Sequence, residues 1–180
     1  EMDFKYYFMW AYGPSAFGDG MTQAEKDDEY QAIYDLSEYL LTEYSNTGKV
    51  FYIGNWEGDW HLYADFNLNN PPSRTTIDGM KDWFNVRQQA VDDAKAQTAH
   101  QNVEVYHYTE LNQPLIGMND QPCIARDILP DLNVDYVSYS TYDVLYKHFN
   151  DTAALRTALH EVLDYLEQQL PAKSGIEGKR

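Results

Sequence analysis

Val50-Phe-Tyr-Ile-Gly-Asn-Trp-Glu-Gly-Asp-Trp60 is the stretch that decides how this chain is read. Val50, Phe51, Tyr52 and Ile53 are β-branched, aromatic residues suited to a strand, and Gly54 closes the run. The next six residues hold an Asn, two carboxylates (Glu57 and Asp59) and two indoles (Trp56 and Trp60). In α/β proteins built on parallel strands, the carboxyl ends of the strands carry the chemistry. A carboxylate pair framed by Trp suits work on sugars: the carboxyl moves a proton, and the flat ring packs on the C–H groups of a pyranose. If the extended geometry runs on to Trp60, Asn55, Glu57 and Asp59 share one face, and Trp56 and Trp60 share the other with Gly58. The plainer reading is a half-buried strand whose acidic residues cap a following helix.

Working outward, the same style of segment recurs. Residues 4–12 are apolar, aromatic-rich and stopped by Gly13-Pro14, which predicts a buried strand. Thr22-Gln-Ala-Glu25 is a capping box that opens a helix reaching about residue 45, in which Tyr30, Ile33, Tyr34, Leu36, Leu40, Leu41 and Tyr44 recur at helical spacing. A second helix is predicted over 76–99, a strand over 103–108, a short helix over 122–129, a strand over 134–140 and a last helix over 152–170. Such alternation implies parallel strands joined by right-handed crossover helices. The fold class is therefore α/β, expected as a partial (β/α)8 TIM barrel: four parallel strands in sequential order, with helices on one side. Four such units are half of a barrel of roughly 250 residues. Residues 1–180 are expected to be a single domain, an internal segment of a longer barrel, with a doubly wound domain as the rival. Two uncovered sheet edges predict self-association.

Composition bounds the partners. The 180 residues carry a formal net charge of −16, which argues against nucleic acid and against an anionic membrane surface. No run of 18 apolar residues is present, so no transmembrane helix is expected, and the first residues lack the order of a signal peptide. Sixteen Tyr and four Trp suit both a core and a cleft for a polar ligand. A single cysteine, Cys123, excludes an internal disulfide framework and leaves the compartment open. There is no Gly-rich phosphate loop, GxSxG elbow or CxxC, so no cofactor is expected. A metal site using His61 and His107 lacks HxH or HExxH spacing, so no metal is expected either.

Three strand ends place carboxylates at Glu57, Glu110 and Asp143. Glu110 and Asn112 follow Tyr106-His107-Tyr108 and can hold sugar hydroxyls, while His107 can hydrogen-bond inside the sheet or be a satisfied interior histidine. Ser138-Tyr-Ser-Thr-Tyr-Asp143 offers a polar lining in which Tyr139 or Tyr142 can orient a carboxylate. Carbohydrate is the expected ligand.

The segments Asn55-Trp-Glu-Gly-Asp-Trp60, Tyr106-His-Tyr-Thr-Glu-Leu-Asn112 and Asp135-Tyr-Val-Ser-Tyr-Ser140, in this order, resemble strand ends of clan A glycoside hydrolases, retaining (β/α)8 barrels, and most of all bacterial proteins of that type. The resemblance spans about residues 4–180. In that clan the acid/base Glu ends the fourth strand, directly after an Asn, and the nucleophile Glu ends the seventh. The resemblance thus implies Glu57 as acid/base and Asn55 near the sugar 2-hydroxyl. Trp56 separates the two here, which leaves Asp59 and Glu110 as other candidates for the acid. On this register the chain covers strands three to six, and the nucleophile lies past Arg180. The alternative function is a non-catalytic carbohydrate-binding or structural barrel segment that keeps the aromatic platform.

Overall fold

The computed structural model describes residues 3–173. It is a mixed α/β structure around one four-stranded parallel sheet. Strand β1 (Tyr6–Trp10) leads through helix α1 (Gln23–Glu43) to β2 (Val50–Gly54), then through the short α2 (Gly58–Leu62) and the long α3 (Arg74–Gln97) to β3 (Glu104–Leu111). After α4 (Pro114–Gly117), a π-turn at Ile124–Ile128 and a 3-10 turn at Leu129–Asp131, β4 (Tyr136–Tyr139) is followed by α5 (Tyr142–His148) and α6 (Thr152–Gln169). The strands lie in the order β1-β2-β3-β4, all neighbours parallel, with Tyr6 beside Val50, Val50 beside Glu104 and Glu110 beside Ser138.

Local chemistry accounts for the elements. Thr22 caps α1 by accepting from the Glu25 amide, and the Glu25 carboxylate accepts from the Thr22 amide at 2.8 Å. The Ser73 side chain accepts from the Thr76 amide at the start of α3, and that of Asp151 from the Ala154 amide at the start of α6. Each such cap contributes about 1 kcal/mol.

The two faces of the sheet differ. Phe51, Ile53 and Val105 point to one face and bury against Ile33 and Leu41 of α1 and Val91 and Ala94 of α3. Farther along that face, Leu111 and Val137 pack with Phe84 of α3, Ile128, and Val162 of α6. The opposite face carries an aromatic row. Phe8 stacks on Tyr52 with ring centres 4.4 Å apart, Tyr52 meets Tyr106 at 5.6 Å, and Tyr106 meets Tyr136 at 5.3 Å. Tyr6, Phe8 and Trp10 on this face are 56%, 68% and 60% exposed. Sequential parallel order with helices on one face is the arrangement expected from the strand–helix alternation.

Several boundaries differ from the sequence reading. Strand geometry does not persist to Trp60: β2 ends at Gly54, Glu57 adopts a left-handed backbone (φ 30°, ψ 66°), and Gly58–Leu62 is helical. The alternating faces expected for Asn55, Glu57 and Asp59 therefore do not form. Strand β3 runs to Leu111, so Glu110 lies inside the ladder instead of beyond it. Helices α2, α4 and α5 are too short, at 5, 4 and 7 residues, to imprint an apolar period on the sequence.

Candidate active site

Two glycines bring the end of β2 against β3. A Cβ on Gly54 would lie 2.4 Å from the Tyr108 ring, and one on Gly58 would lie 2.8 Å from the Glu110 carbonyl oxygen and 2.6 Å from Ile124 Cδ1. Between them, Asn55 extends the pairing past the last strand residue. Its Nδ2 donates to the Glu110 carbonyl at 3.0 Å, and its Oδ1 accepts from the Glu110 amide at 3.0 Å. Asn55 is buried and its amide is taken up by the main chain, so the structure makes it the clamp that sets β2 against Glu110.

Asp59 is a second clamp. It is fully buried in the first turn of α2, where Oδ2 accepts from the amides of Asn112 and Gln113 and Oδ1 from that of Ile124, all at 2.8 Å. Burial pushes its pKa up, and the three amide donors oppose that shift. The carboxylate thus fixes the loop leaving β3 and carries the structural role.

Glu57 stands between these clamps. Only its edge reaches solvent. Burial raises its pKa first, the charge of Glu110 raises it further, and a side-chain hydrogen bond from Trp60 works the other way. Non-glycine residues with positive φ are uncommon and gather at functional sites, where the surrounding structure holds them. Glu110 points to the aromatic face of the sheet and accepts a 2.7 Å hydrogen bond from the Ser140 hydroxyl at the end of β4.

Glu57 opens onto a cleft of about 590 Å³. Trp60, Leu68, Asn112, Leu115, Tyr142 and Tyr146 are among its walls. Asn112 is 2% exposed, and its side-chain carbonyl has no protein partner among the described residues. Tyr142 and Tyr146, one turn apart on α5, are stacked with centres 5.9 Å apart. Asp143 also lines the cleft, but its carboxylate accepts from the Tyr139 hydroxyl and from the amides of Leu115 and Val144.

The structure therefore brings Glu57, Trp60, Glu110, Asn112 and Tyr142 to one region at the carboxyl ends of the strands. Trp56 lies on its other side, 6.4 Å from Trp10 and 5.9 Å from His61 by ring centres. Two expected residues face the helices instead. Tyr139 packs into the core on that side and orients Asp143. His107 is fully buried, receives a hydrogen bond from Arg87 Nε at 3.3 Å, and has its pKa pushed well below the usual range by burial and by the Arg87 charge. It is an interior histidine, held neutral and remote from the cleft. Among the described residues, no three His, Cys, Asp or Glu are grouped to hold a metal ion, and no helix is long and apolar enough to cross a membrane.

Other contributors escaped the sequence reading. Ser140 lay in a quoted strand end, yet only the β3–β4 register shows that it serves Glu110. Tyr146 was legible as the i+4 partner of Tyr142 once α5 was known. The buried pair Glu29–Arg87 had no sequence signal, because 58 residues separate its members.

No family model matches this chain, and no curated protein or solved structure does either.

Proposed function

We propose that this chain is part of a (β/α)8 barrel that hydrolyses glycosides with retention of configuration, with Glu57 as the acid/base. The observation that carries this reading is the state of Glu57: a carboxyl in a partly dry cleft at the strand ends, its pKa raised by burial and by a second carboxylate. A general acid for a glycosidic oxygen needs that combination. Sequential parallel strands with helices on one face support the barrel, since a doubly wound sheet covers both faces. Glu57 gives its proton to the leaving oxygen as the glycosidic bond breaks, then takes one from the water that releases the sugar. The nucleophilic carboxylate belongs to a later strand of the barrel. Burial and the charge of Glu110, which is held in place by the Ser140 hydroxyl, both favour the protonated form of Glu57. Asn112 offers a buried acceptor for a sugar hydroxyl.

The test is hydrolysis of an activated aryl glycoside beside a natural disaccharide by the complete barrel, in wild type and Glu57→Gln. An amide cannot donate the proton, so turnover of the disaccharide should fall by about 10²–10⁴-fold while the activated substrate is spared in the glycosylation step. Equal loss on both substrates, or none, removes Glu57 from the acid role; the same comparison with Asp59→Asn and Glu110→Gln then tests the other carboxylates.

A second reading is a carbohydrate-binding barrel without turnover. Trp10 and Trp56 at the strand ends, with ring centres 6.4 Å apart, favour it, because aromatic faces hold sugars without any competent carboxylate. Saturable sugar binding with no hydrolysis of any glycoside, in the complete wild-type barrel, is its signature.

A further inference from the structure

Glu57 reaches the cleft from a turn that it does not hold itself. It is the N-cap of α2 and has a left-handed backbone, yet its side chain makes no capping hydrogen bond. A non-glycine residue stays in that region only where its surroundings fix the neighbouring peptides. After Glu57, the Trp60 amide donates to the Glu57 carbonyl at 3.0 Å. Before it stands Trp56, which is held in both of its peptide planes. The Trp56 carbonyl, in the plane shared with Glu57, accepts from Asn55 Nδ2 at 3.4 Å. The Trp56 amide, in the preceding plane, donates to the Tyr12 hydroxyl at 2.9 Å. Tyr12 belongs to the segment just past β1, 44 residues away in sequence. Its own hydroxyl proton has an acceptor, because Oη lies 3.4 Å from Nε2 of His61, one turn along α2 from Glu57. Burial lowers the His61 pKa, with the Trp56 backbone opposing that shift, so the ring is neutral at pH 7 and accepts. A hydroxyl that donates in one direction presents its lone pairs in another. His61 therefore aims the Tyr12 oxygen at the Trp56 amide.

We propose, resting on the acid/base reading of Glu57, that Tyr12 and His61 are a positioning pair for that carboxyl: the hydroxyl, oriented by the imidazole, pins the peptide before Trp56 and so holds the Glu57 turn in the conformation that aims its side chain into the cleft. Neither residue lines the cleft. Without the pin, the Trp56 amide turns to water and the peptides on either side of Trp56 rotate. Glu57 then relaxes toward negative φ and carries its carboxyl away from Glu110 and from the leaving oxygen.

Tyr12→Phe tests this, because it removes the hydroxyl and keeps the ring that stacks on Trp83. In the complete barrel it should lower kcat on a natural disaccharide by about 2- to 12-fold, the range for one hydrogen bond, with KM within about twofold. An activated aryl glycoside needs little protonation and should be spared. His61→Ala should act in the same way, and the double variant should lose no more than the worse single, since the two work as one unit. Equal losses on both substrates, no loss, or losses that multiply in the double variant overturn the proposal. A second measurement needs no turnover. Carbon-13 NMR titration of the Glu57 carboxyl, assigned with Glu57→Gln, should give a lower pKa in Tyr12→Phe than in wild type, because the relaxed turn moves the carboxyl toward water and away from Glu110. An unchanged value overturns the proposal. If Glu57→Gln shows no selective loss on the disaccharide, the acid/base reading has failed by itself, and the titration alone decides whether Tyr12 and His61 hold the turn.

Discussion

The Glu29–Arg87 pair is the most consequential interaction that lies outside the site. Arg87 Nη1 is 2.7 Å from Glu29 Oε1, and both side chains are wholly buried. Arg87 also donates to the Ala11 carbonyl at 2.6 Å and to His107 Nε2 at 3.3 Å, and its guanidinium lies 4.3 Å from the Trp83 ring centre. The pair therefore ties α1 and α3 to the end of β1 and the middle of β3. The Glu29 carboxylate fills the space where a Gly13 side chain would stand. Two charges out of water are expensive, and burial pushes the Arg87 pKa down despite Glu29. Removing one partner leaves the other unpaired and costs about 3–5 kcal/mol. Glu29→Gln keeps a neutral acceptor and should fall near the lower limit; Glu29→Ala adds a cavity and should approach the upper. For a protein of this size, each kcal/mol moves Tm by roughly 2–4 °C, so the two variants span about 6–20 °C of loss. Urea unfolding at neutral pH measures the free energy, and Glu29→Leu with Arg87→Met closes the cycle. The double variant should lose less than the sum of the singles by about 1–3 kcal/mol, because no lone charge remains. Loss under about 1 kcal/mol in Glu29→Ala, or strict additivity in the cycle, refutes the claim that an ion pair holds these elements together.

Glu57 gives a pH signature. Its folded pKa is raised, so its contribution to stability is present below the ordinary Glu value of about 4.3 and is lost as pH rises through the folded pKa. Glu57→Gln should match wild type in urea unfolding at acid pH and exceed it at neutral pH; the reverse order contradicts the assigned cause. Gly58→Ala places a methyl against the Glu110 carbonyl and Ile124, and should lower the unfolding free energy by about 1–3 kcal/mol, with Gly18→Ala, which meets no atom within 4 Å, as the control. The exposed Tyr6, Phe8 and Trp10 beside the outer edge of β1 should drive the 180-residue chain to associate, and Phe8→Lys should shift its sedimentation toward monomer.

By itself the sequence determined the order and type of the major elements. Apolar runs marked the four strands, the first closed by Gly13-Pro14 and the second by Gly54, the Thr22–Glu25 box marked the start of α1, and helical spacing marked α1, α3 and α6, because each of these signals is local in the chain. It also placed Glu57, Trp60, Glu110 and Asn112 at strand ends, since alternation of strand and helix implies parallel strands whose carboxyl ends meet. Only the tertiary structure decided which of those residues are free for a ligand. Asn55 and Asp59 look as chemical as Glu57 in the sequence, yet each is spent on main-chain groups of a segment more than 50 residues away. His107 and Tyr139 fall on the helix face through the pleat of their strands. Glu57 owes its raised pKa first to burial and then to Glu110, 53 positions on, and two glycines let β2 and β3 close together beside it. Burial, partner and charge are properties of what lies across space, and no local pattern of residues encodes them.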